Sequence, residues 1–140
     1  MIYLDTSAVV PLFVPEPAST AVDTWLESCA DPLISSDWIV TEFASALSIK
    51  VRRGELTTRQ AASAWKGFGE FCDAGLRLLP VSRKAFDEAA KLVRDAPSGL
   101  RAGDSLHLAM AIESGAGGFV TADDTLDKNA KAKGLNVTRL

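Results

Sequence analysis

Apolar and polar positions follow two patterns along this chain, which separate the expected strands from the expected helices. Short apolar runs predict strands at residues 2–4, 33–35, 76–81, 119–121 and 135–138. Longer segments at helical spacing predict helices at residues 18–30, 37–53, 57–74, 82–96, 103–114 and 124–133. A turn is expected directly after the first strand. Because strands alternate with helices, the pattern indicates an α/β domain whose mostly parallel sheet is covered on both faces.

Several residues suit the ends of these segments. Asp37 and Ser82 are common helix-capping types, and Gly54 and Gly75 are placed to end the helices before them. The Pro-Ser-Gly segment at 97–99 predicts a loop. No repeat, low-complexity segment or linker interrupts the pattern, so the chain is expected to form one domain over residues 1–140.

The overall composition is that of an ordinary globular protein. Its 140 residues are 47% hydrophobic and 24% charged, which excludes a disordered or fibrous chain. The longest run without a polar side chain, residues 8–15, is far shorter than the ~20 residues of a membrane span. The first residues lack the basic segment and apolar stretch of a signal peptide. We therefore expect a cytoplasmic protein with no membrane partner.

The cysteine and histidine content narrows the metal chemistry. Cys29 and Cys72 form no Cys-x-x-Cys pair and are expected to be small buried thiols. His107 is the only histidine, which argues against a His/Cys zinc site. It lies in an apolar helix and is expected to be a packed structural residue rather than a catalytic base. A bound metal would have oxygen ligands, which favours Mg²⁺, with Mn²⁺ as a substitute.

Asp5 and Asp123 both follow predicted strands. Ligands of an open parallel sheet bind beyond the carboxyl ends of its strands, near the point where strand order reverses, so these two carboxylates can meet there. Asp is also among the best helix-capping residues, and both interpretations stay open. Asp124, followed by Asp127, suits the cap of the last helix at least as well, which would leave Asp123 without a capping role.

No stabilising contact within its own helix explains why a glutamate occurs at position 42. No cation lies three or four residues from it, and its helix is apolar nearly all round. An unpaired buried carboxylate is costly, so a functional cleft is favoured over a private salt bridge.

Asp104 fits an ordinary first-turn acid, and Arg101 is placed to pair with it. Phosphate-loop, dinucleotide-binding and nucleophile-elbow motifs are absent, which leaves the acidic residues as the candidates for chemistry.

These four acidic residues lie in motifs that follow one another in a fixed order. The motifs are Met-Ile-Tyr-Leu-Asp-Thr-Ser-Ala around Asp5, Asp-Trp-Ile-Val-Thr-Glu-Phe-Ala-Ser-Ala around Glu42, Arg-Ala-Gly-Asp-Ser-Leu-His-Leu-Ala around Asp104 and Phe-Val-Thr-Ala-Asp-Asp-Thr-Leu around Asp123. In order and spacing, over essentially the whole chain, they resemble the motifs of PIN-domain proteins. The resemblance is to the VapC-type toxins of bacterial toxin–antitoxin pairs in particular.

The resemblance implies both a fold and a site. The implied fold is a PIN-like single domain with a five-stranded parallel sheet of order 3-2-1-4-5 between helices. The implied site is a metal-dependent ribonuclease centre formed by Asp5, Glu42, Asp104 and Asp123. Asp5 and Asp104 would be the principal Mg²⁺ ligands, and Thr121 would support the site from its strand end.

A carboxylate-held Mg²⁺ fits the chemistry of phosphodiester hydrolysis. It can orient water, lower the pKa of that water and polarise a phosphoryl oxygen. Four carboxylates exceed the needs of one Mg²⁺, so Glu42 is the best candidate to orient or deprotonate the attacking water. The residues are compatible with a site for one metal ion or for two.

The resemblance also implies partners. The expected substrate is structured RNA, chiefly tRNA or rRNA, and the expected protein partner is a small DNA-binding antitoxin whose C-terminal segment blocks the cleft. A homodimer is expected as well, with weak support from the aromatic residues Trp65, Phe68 and Phe71 on one helix. The alternative is a catalytically silent PIN-fold interaction domain that binds a basic peptide or RNA.

The net charge of −3, from 15 basic and 18 acidic residues, is unusual for a nucleic-acid binder. Without the four proposed site acids the chain would be nearly neutral, so RNA affinity is expected to be modest and salt-sensitive. The candidate phosphate contacts are basic residues whose simpler interpretation is a solvated helix face, namely Arg52, Arg53, Arg59, Arg83, Lys84 and Arg94.

Overall fold

A computed structural model describes all 140 residues and contains one five-stranded sheet with every strand pair parallel. The strands are β1 (Ile2–Leu4), β2 (Leu33–Ser36), β3 (Leu76–Leu79), β4 (Gly118–Thr121) and β5 (Val137–Arg139). Their order is β3-β2-β1-β4-β5, which confirms the expected topology. The order reverses between β1 and β4, and this is the point where open parallel sheets bind ligands.

Seven helices connect the strands. They are α1 (Thr6–Val9), α2 (Ser19–Ser28), α3 (Trp38–Arg52), α4 (Thr58–Ala74), α5 (Arg83–Arg94), α6 (Ala102–Glu113) and α7 (Asp124–Ala132). Two 3₁₀ turns, Val10–Leu12 and Ala96–Ser98, complete the regular structure. None of these helices is long and apolar enough to cross a membrane.

The sheet separates two hydrophobic cores because successive strand residues point to opposite faces. Tyr3 pairs in register with Ile34 and Phe119, and all three belong to the core that α5, α6 and α7 cover. Leu4 and Val120 belong to the other core, which α1, α3 and α4 cover. Burial on both faces explains why the central strands are continuous apolar runs rather than alternating ones.

The structure corrects several local expectations. The segment after β1 is the short helix α1 rather than a turn, and Asp5 caps it by accepting a hydrogen bond from the Ala8 N–H. Asp37 precedes α3 with helical backbone angles and makes no capping hydrogen bond, whereas Ser82 caps α5 as expected. Residues 97–99 include part of a 3₁₀ turn. Both cysteines are free but only half-buried.

Candidate functional site

All four acidic motif residues line one cleft of about 830 Å³ at the carboxyl ends of the strands. Asp5 follows β1 directly, and Asp123 follows the neighbouring β4, so the parallel pairing of these two strands brings the residues together. Glu42 lies in the second turn of α3, and Asp104 lies in the first turn of α6. Acidic residues that are far apart in the sequence therefore line the same cleft.

Asp5 is the most buried of the four, with 3% of the residue exposed. Its oxygens accept hydrogen bonds from neutral groups, because Ser7 Oγ lies 2.9 Å from both oxygens and Thr121 Oγ1 lies 3.2 Å from Oδ2. Burial raises the pKa of the Asp5 carboxyl to about 6, although the charge interaction with His107 and these hydrogen bonds act in the opposite direction. Thr121 also accepts a 3.0 Å hydrogen bond from the Asp123 N–H, while its own hydrogen bond to Asp5 links the ends of β4 and β1.

Glu42 is surrounded by hydrogen-bond donors. Its Oε2 lies 2.5 Å from Thr6 Oγ1 and 2.7 Å from His107 Nε2. Burial alone would raise the pKa of the Glu42 carboxyl, but the hydrogen bonds and charge of this environment outweigh burial and leave its pKa lowered. Glu42 therefore lines the cleft and also has a private partner, so the two interpretations of its sequence position were not exclusive.

Gly103 lets the start of α6 approach Glu42. A Cβ atom at this position would collide with Glu42 Oε1 and lie 3.2 Å from Trp38 Nε1. Trp38 Nε1 is itself buried without a hydrogen-bond partner. Only a glycine leaves room for the Glu42 carboxylate between α3 and α6.

Asp104 has fewer donors than Glu42. Its Oδ2 accepts a 3.2 Å hydrogen bond from the Arg101 N–H, and the Arg101 guanidinium forms no ion pair with it. Burial raises the pKa of the Asp104 carboxyl, and the charges of Asp123 and Glu42 raise it further. The acidic residues of this cleft therefore repel one another.

The structure distinguishes Asp123 from its neighbour. Asp123 lines the cleft and caps α7, since its Oδ1 accepts a 2.7 Å hydrogen bond from the Leu126 N–H. Asp124 has an 81% exposed side chain and pairs with Arg139 at 3.0 Å. The expectation that Asp124 would take the capping role was wrong, because Asp123 has the extended backbone angles of a cap and Asp124 already belongs to the helix.

The cleft therefore has two different sides. We call Thr6, Glu42 and His107 the histidine side, and Asp5, Asp104 and Asp123 the aspartate side. On the histidine side, the carboxylate contacts hydroxyl and imidazole groups. On the aspartate side, burial disfavours the ionised form of Asp5 and Asp104, and the charges of Asp123 and Glu42 add to this effect at Asp104.

The donor set fits a divalent cation. No three His, Cys, Asp or Glu side chains are close enough to enclose an ion by themselves. Mg²⁺ does not require such a cage, because one or two carboxylates, several waters and substrate phosphates commonly complete its coordination. Burial raises the pKa of Asp5 and Asp104 even though the charge interactions with His107 and Arg101 act to lower it, so a bound cation would offset part of the cost of ionising them. Oxygen ligands of this kind suit Mg²⁺ or Mn²⁺.

Sequence reasoning missed the cations of the cleft. None of the six basic residues proposed as phosphate contacts lines it; instead Lys50, Arg101 and Arg139 do. Lys50 is paired with Glu16 and Glu55, and Arg139 is paired with Asp124, which leaves Arg101 as the cleft cation without an ion pair. The sequence did draw attention to Arg101, because it lies three residues before Asp104, but that spacing was interpreted as an ion pair between the two.

The PIN domain family model matches residues 2–132 of this chain. Ribonuclease VapC46 of Mycobacterium tuberculosis is 35% identical over 138 residues, which cover 97% of this chain and 95% of that protein. This chain belongs to the PIN domain family and, within it, to the VapC ribonucleases. The family assignment confirms the expected resemblance to PIN-domain proteins and VapC-type toxins.

Solved structures share the fold of this VapC-type chain. Mycobacterium tuberculosis VapC20, described as a Sarcin-Ricin loop cleaving toxin, has a TM-score of 0.76 at 18% identity, with 100% of both chains covered. VapBC2 from Rickettsia felis, solved with a DNA fragment from its promoter, has a TM-score of 0.67 at 21% identity, with 99% and 97% covered. At these identities the likeness concerns the fold.

Proposed function

We propose that this VapC-type chain is a Mg²⁺-dependent endoribonuclease that acts as the toxin of a toxin–antitoxin pair. The observation that carries the proposal is the cleft at the switch point of the sheet, where Asp5, Glu42, Asp104 and Asp123 meet. The proposed substrate is structured RNA, tRNA or rRNA, in the cytoplasm. We also propose one domain over residues 1–140, since β5 completes the sheet beyond the family match.

The aspartate side is the proposed metal side. Asp5 and Asp104 would be ligands of Mg²⁺. Asp123 lies close enough to raise the pKa of Asp104, so its carboxylate would also be attracted by the ion. When bound, Mg²⁺ supplies a polarised phosphoryl oxygen and a more acidic water. The hydroxyls of Ser7 and Thr121 donate hydrogen bonds to Asp5, which restricts the orientation of its carboxylate at the end of β1.

Glu42 is proposed to orient the attacking water. Hydrogen bonds from Thr6 and His107 fix its Oε2, while the carboxylate still lines the cleft. A carboxylate with a lowered pKa is a weak base at neutral pH but a good hydrogen-bond acceptor. We therefore assign Glu42 the task of accepting a hydrogen bond from water and holding it beside the phosphate.

The proposed partners follow the relatives. The Rickettsia felis relative was solved as a VapBC complex, which supports a cognate antitoxin for this chain. The proposed homodimer has limited support from the exposed surface, because Trp65 is 43% exposed whereas Phe68 is buried in the core. Arg101, which lines the cleft without an ion pair, is the proposed contact for an RNA phosphate.

The test compares wild type with Asp5→Asn. Purified protein should cleave total tRNA or rRNA with millimolar Mg²⁺, cleave it with Mn²⁺, and lose activity in chelator. Asp5→Asn should stay folded by circular dichroism and lose cleavage and growth arrest. Wild type that binds RNA or a basic peptide but never cleaves would instead establish the silent interaction domain.

A further inference from the structure

His107 is a buried polar residue without a role in the chemistry proposed above. It is 1% exposed, although it lies on the helix that carries Asp104 and reaches the wall of the cleft. Both ring nitrogens have partners, since Nε2 lies 2.7 Å from Glu42 Oε2 and Nδ1 lies 2.9 Å from the Tyr3 hydroxyl. Buried polar atoms are paired in any case, but the partner of Nε2 is a carboxylate that lines the cleft, so the ring connects the core with the proposed site.

The partners of Nε2 show that this nitrogen carries a proton. The Glu42 carboxylate can only accept, and the Thr6 hydroxyl donates its single hydrogen to Glu42 Oε2. Thr6 Oγ1, 3.0 Å from His107 Nε2, therefore also presents only lone pairs to the ring. His107 Nε2 must be the donor, and its N–H points at Glu42.

Tyr3 holds the far edge of the His107 ring. Its hydroxyl lies between His107 Nδ1 and Ser36 Oγ, at 2.9 and 3.0 Å. Its ring is fully buried and stacks on Phe119 with centroids 5.7 Å apart. The imidazole is thus anchored to the centre of the sheet at one edge and to the cleft at the other.

We propose that His107 is a positioning residue that aims the Glu42 carboxylate into the cleft. The inference rests on the proposed function, in which Glu42 orients the attacking water. A glutamate has three rotatable bonds, and one fixed donor removes much of that freedom before substrate binds. Tyr3 would contribute indirectly, because its hydrogen bond to Nδ1 fixes the orientation of the His107 ring.

Two substitutions at His107 separate the two nitrogens. His107→Gln can place an amide N–H near the position of Nε2, whereas His107→Asn reaches only the position of Nδ1. His107→Asn should lower kcat by about ten- to one-hundredfold with KM little changed, the loss expected for one hydrogen bond to a charged group. His107→Gln should recover much of kcat. Equal kcat values for wild type and His107→Asn would overturn the proposal.

A double-mutant cycle tests whether His107 acts through Glu42. In a Glu42→Ala background, His107→Asn should cause no further loss of kcat, because the carboxylate that it positions is gone. An undiminished loss in that background would show a general structural role and overturn the proposal. If the His107 variants do not fold, Tyr3→Phe, which keeps the stacked ring, should give a smaller loss that also vanishes with Glu42→Ala.

A spectroscopic test needs neither RNA nor metal. His107 is the only histidine, so every imidazole signal of isotope-labelled protein belongs to it. Its Nε2–H proton should be slow to exchange and shifted downfield, and Glu42→Gln should move that signal upfield. Glu16→Gln, at an acid of the same cleft that pairs with Lys50, should leave it in place. A signal unaffected by Glu42→Gln would overturn the inference even where RNA cleavage is established, and the expected shift would support it even where cleavage is not found.

Discussion

The histidine and aspartate sides of the cleft treat their carboxylates in opposite ways. Glu42 has a lowered pKa, because hydrogen bonds from His107 and Thr6 outweigh its burial. Asp5 has a pKa raised to about 6, because its deeper burial outweighs the charge interaction with His107 and the hydrogen bonds from neutral groups. The ionised form of the carboxylate is therefore favoured at Glu42 and disfavoured at Asp5 and Asp104.

This difference in pKa direction suits different functions for Glu42 and for the aspartate side. It supports the roles proposed above, in which Glu42 is a preorganised acceptor for water and the aspartate side binds a cation that offsets the burial of its carboxylates. Local surroundings decide the role of each acid more than its residue type does. The predictions below change one side at a time.

The largest effect is expected on the aspartate side at Asp123. Asp123→Asn should lower RNA cleavage by roughly 10²-fold or more through loss of a carboxylate at the cation. Asn is as good an N-cap as Asp, so α7 should remain capped and the melting temperature nearly unchanged. Asp124→Asn is the matched control and should cleave like wild type, because Asp124 is exposed and paired with Arg139. Equal losses in the two variants would contradict the assignment.

The pH dependence of metal-free stability should also differ between the sides. The raised pKa of Asp5 stabilises the fold below the unfolded value near 4, and this stability is lost as pH rises through about 6. The shift corresponds to about 3 kcal/mol. The lowered pKa of Glu42 has the opposite sign, since its contribution is lost as pH falls.

Urea unfolding in chelator, from pH 4 to 7, measures this effect. The difference in free energy of unfolding between wild type and Asp5→Asn should change with pH in the stated direction, and the difference for Glu42→Gln should change in reverse. Millimolar Mg²⁺ should stabilise wild type at pH 7 by binding only the folded state. Parallel pH profiles for all three proteins would remove the basis of the comparison.

Gly103→Ala should disturb the histidine side while sparing the fold. The new methyl group would displace the Glu42 carboxylate from its position beside His107, so kcat should fall about tenfold. Alanine favours helix by up to ~1 kcal/mol over glycine, which offsets part of the strain. Gly69→Ala on α4, where a Cβ meets nothing within 4 Å, should leave kcat unchanged. Comparable kcat values for both variants would show that the Glu42 position does not matter.

The smallest effect is expected at Arg101. Arg101→Ala should weaken RNA binding only a few-fold and lower the slope of log affinity against log salt by about 1. Filter binding with RNA in chelator measures both quantities without cleavage. Arg94→Ala, an exposed cation of α5 that does not line the cleft, should leave the slope unchanged. A slope that responds to Arg94 but not to Arg101 would place the RNA on another surface.

The sequence predicted the elements that carry strong local signals. Apolar runs located all five strands, and Ser82 was correctly placed as a helix cap. It did not predict α1, because four helical residues give too short a pattern to distinguish from a turn. Asp37 failed as a side-chain cap because its backbone is already helical at that position, which residue type alone does not reveal.

The four acidic motifs were readable in the sequence by itself, because each lies next to a strand end or a helix start and together they match one family. Only the tertiary structure decided what surrounds each acid. His107 is 65 residues from Glu42 and 104 from Tyr3, and no pattern along the chain joins such distant positions. The parallel sheet and the packing of α6 against one of its faces join them, and those contacts give the acids of one cluster different protonation behaviour.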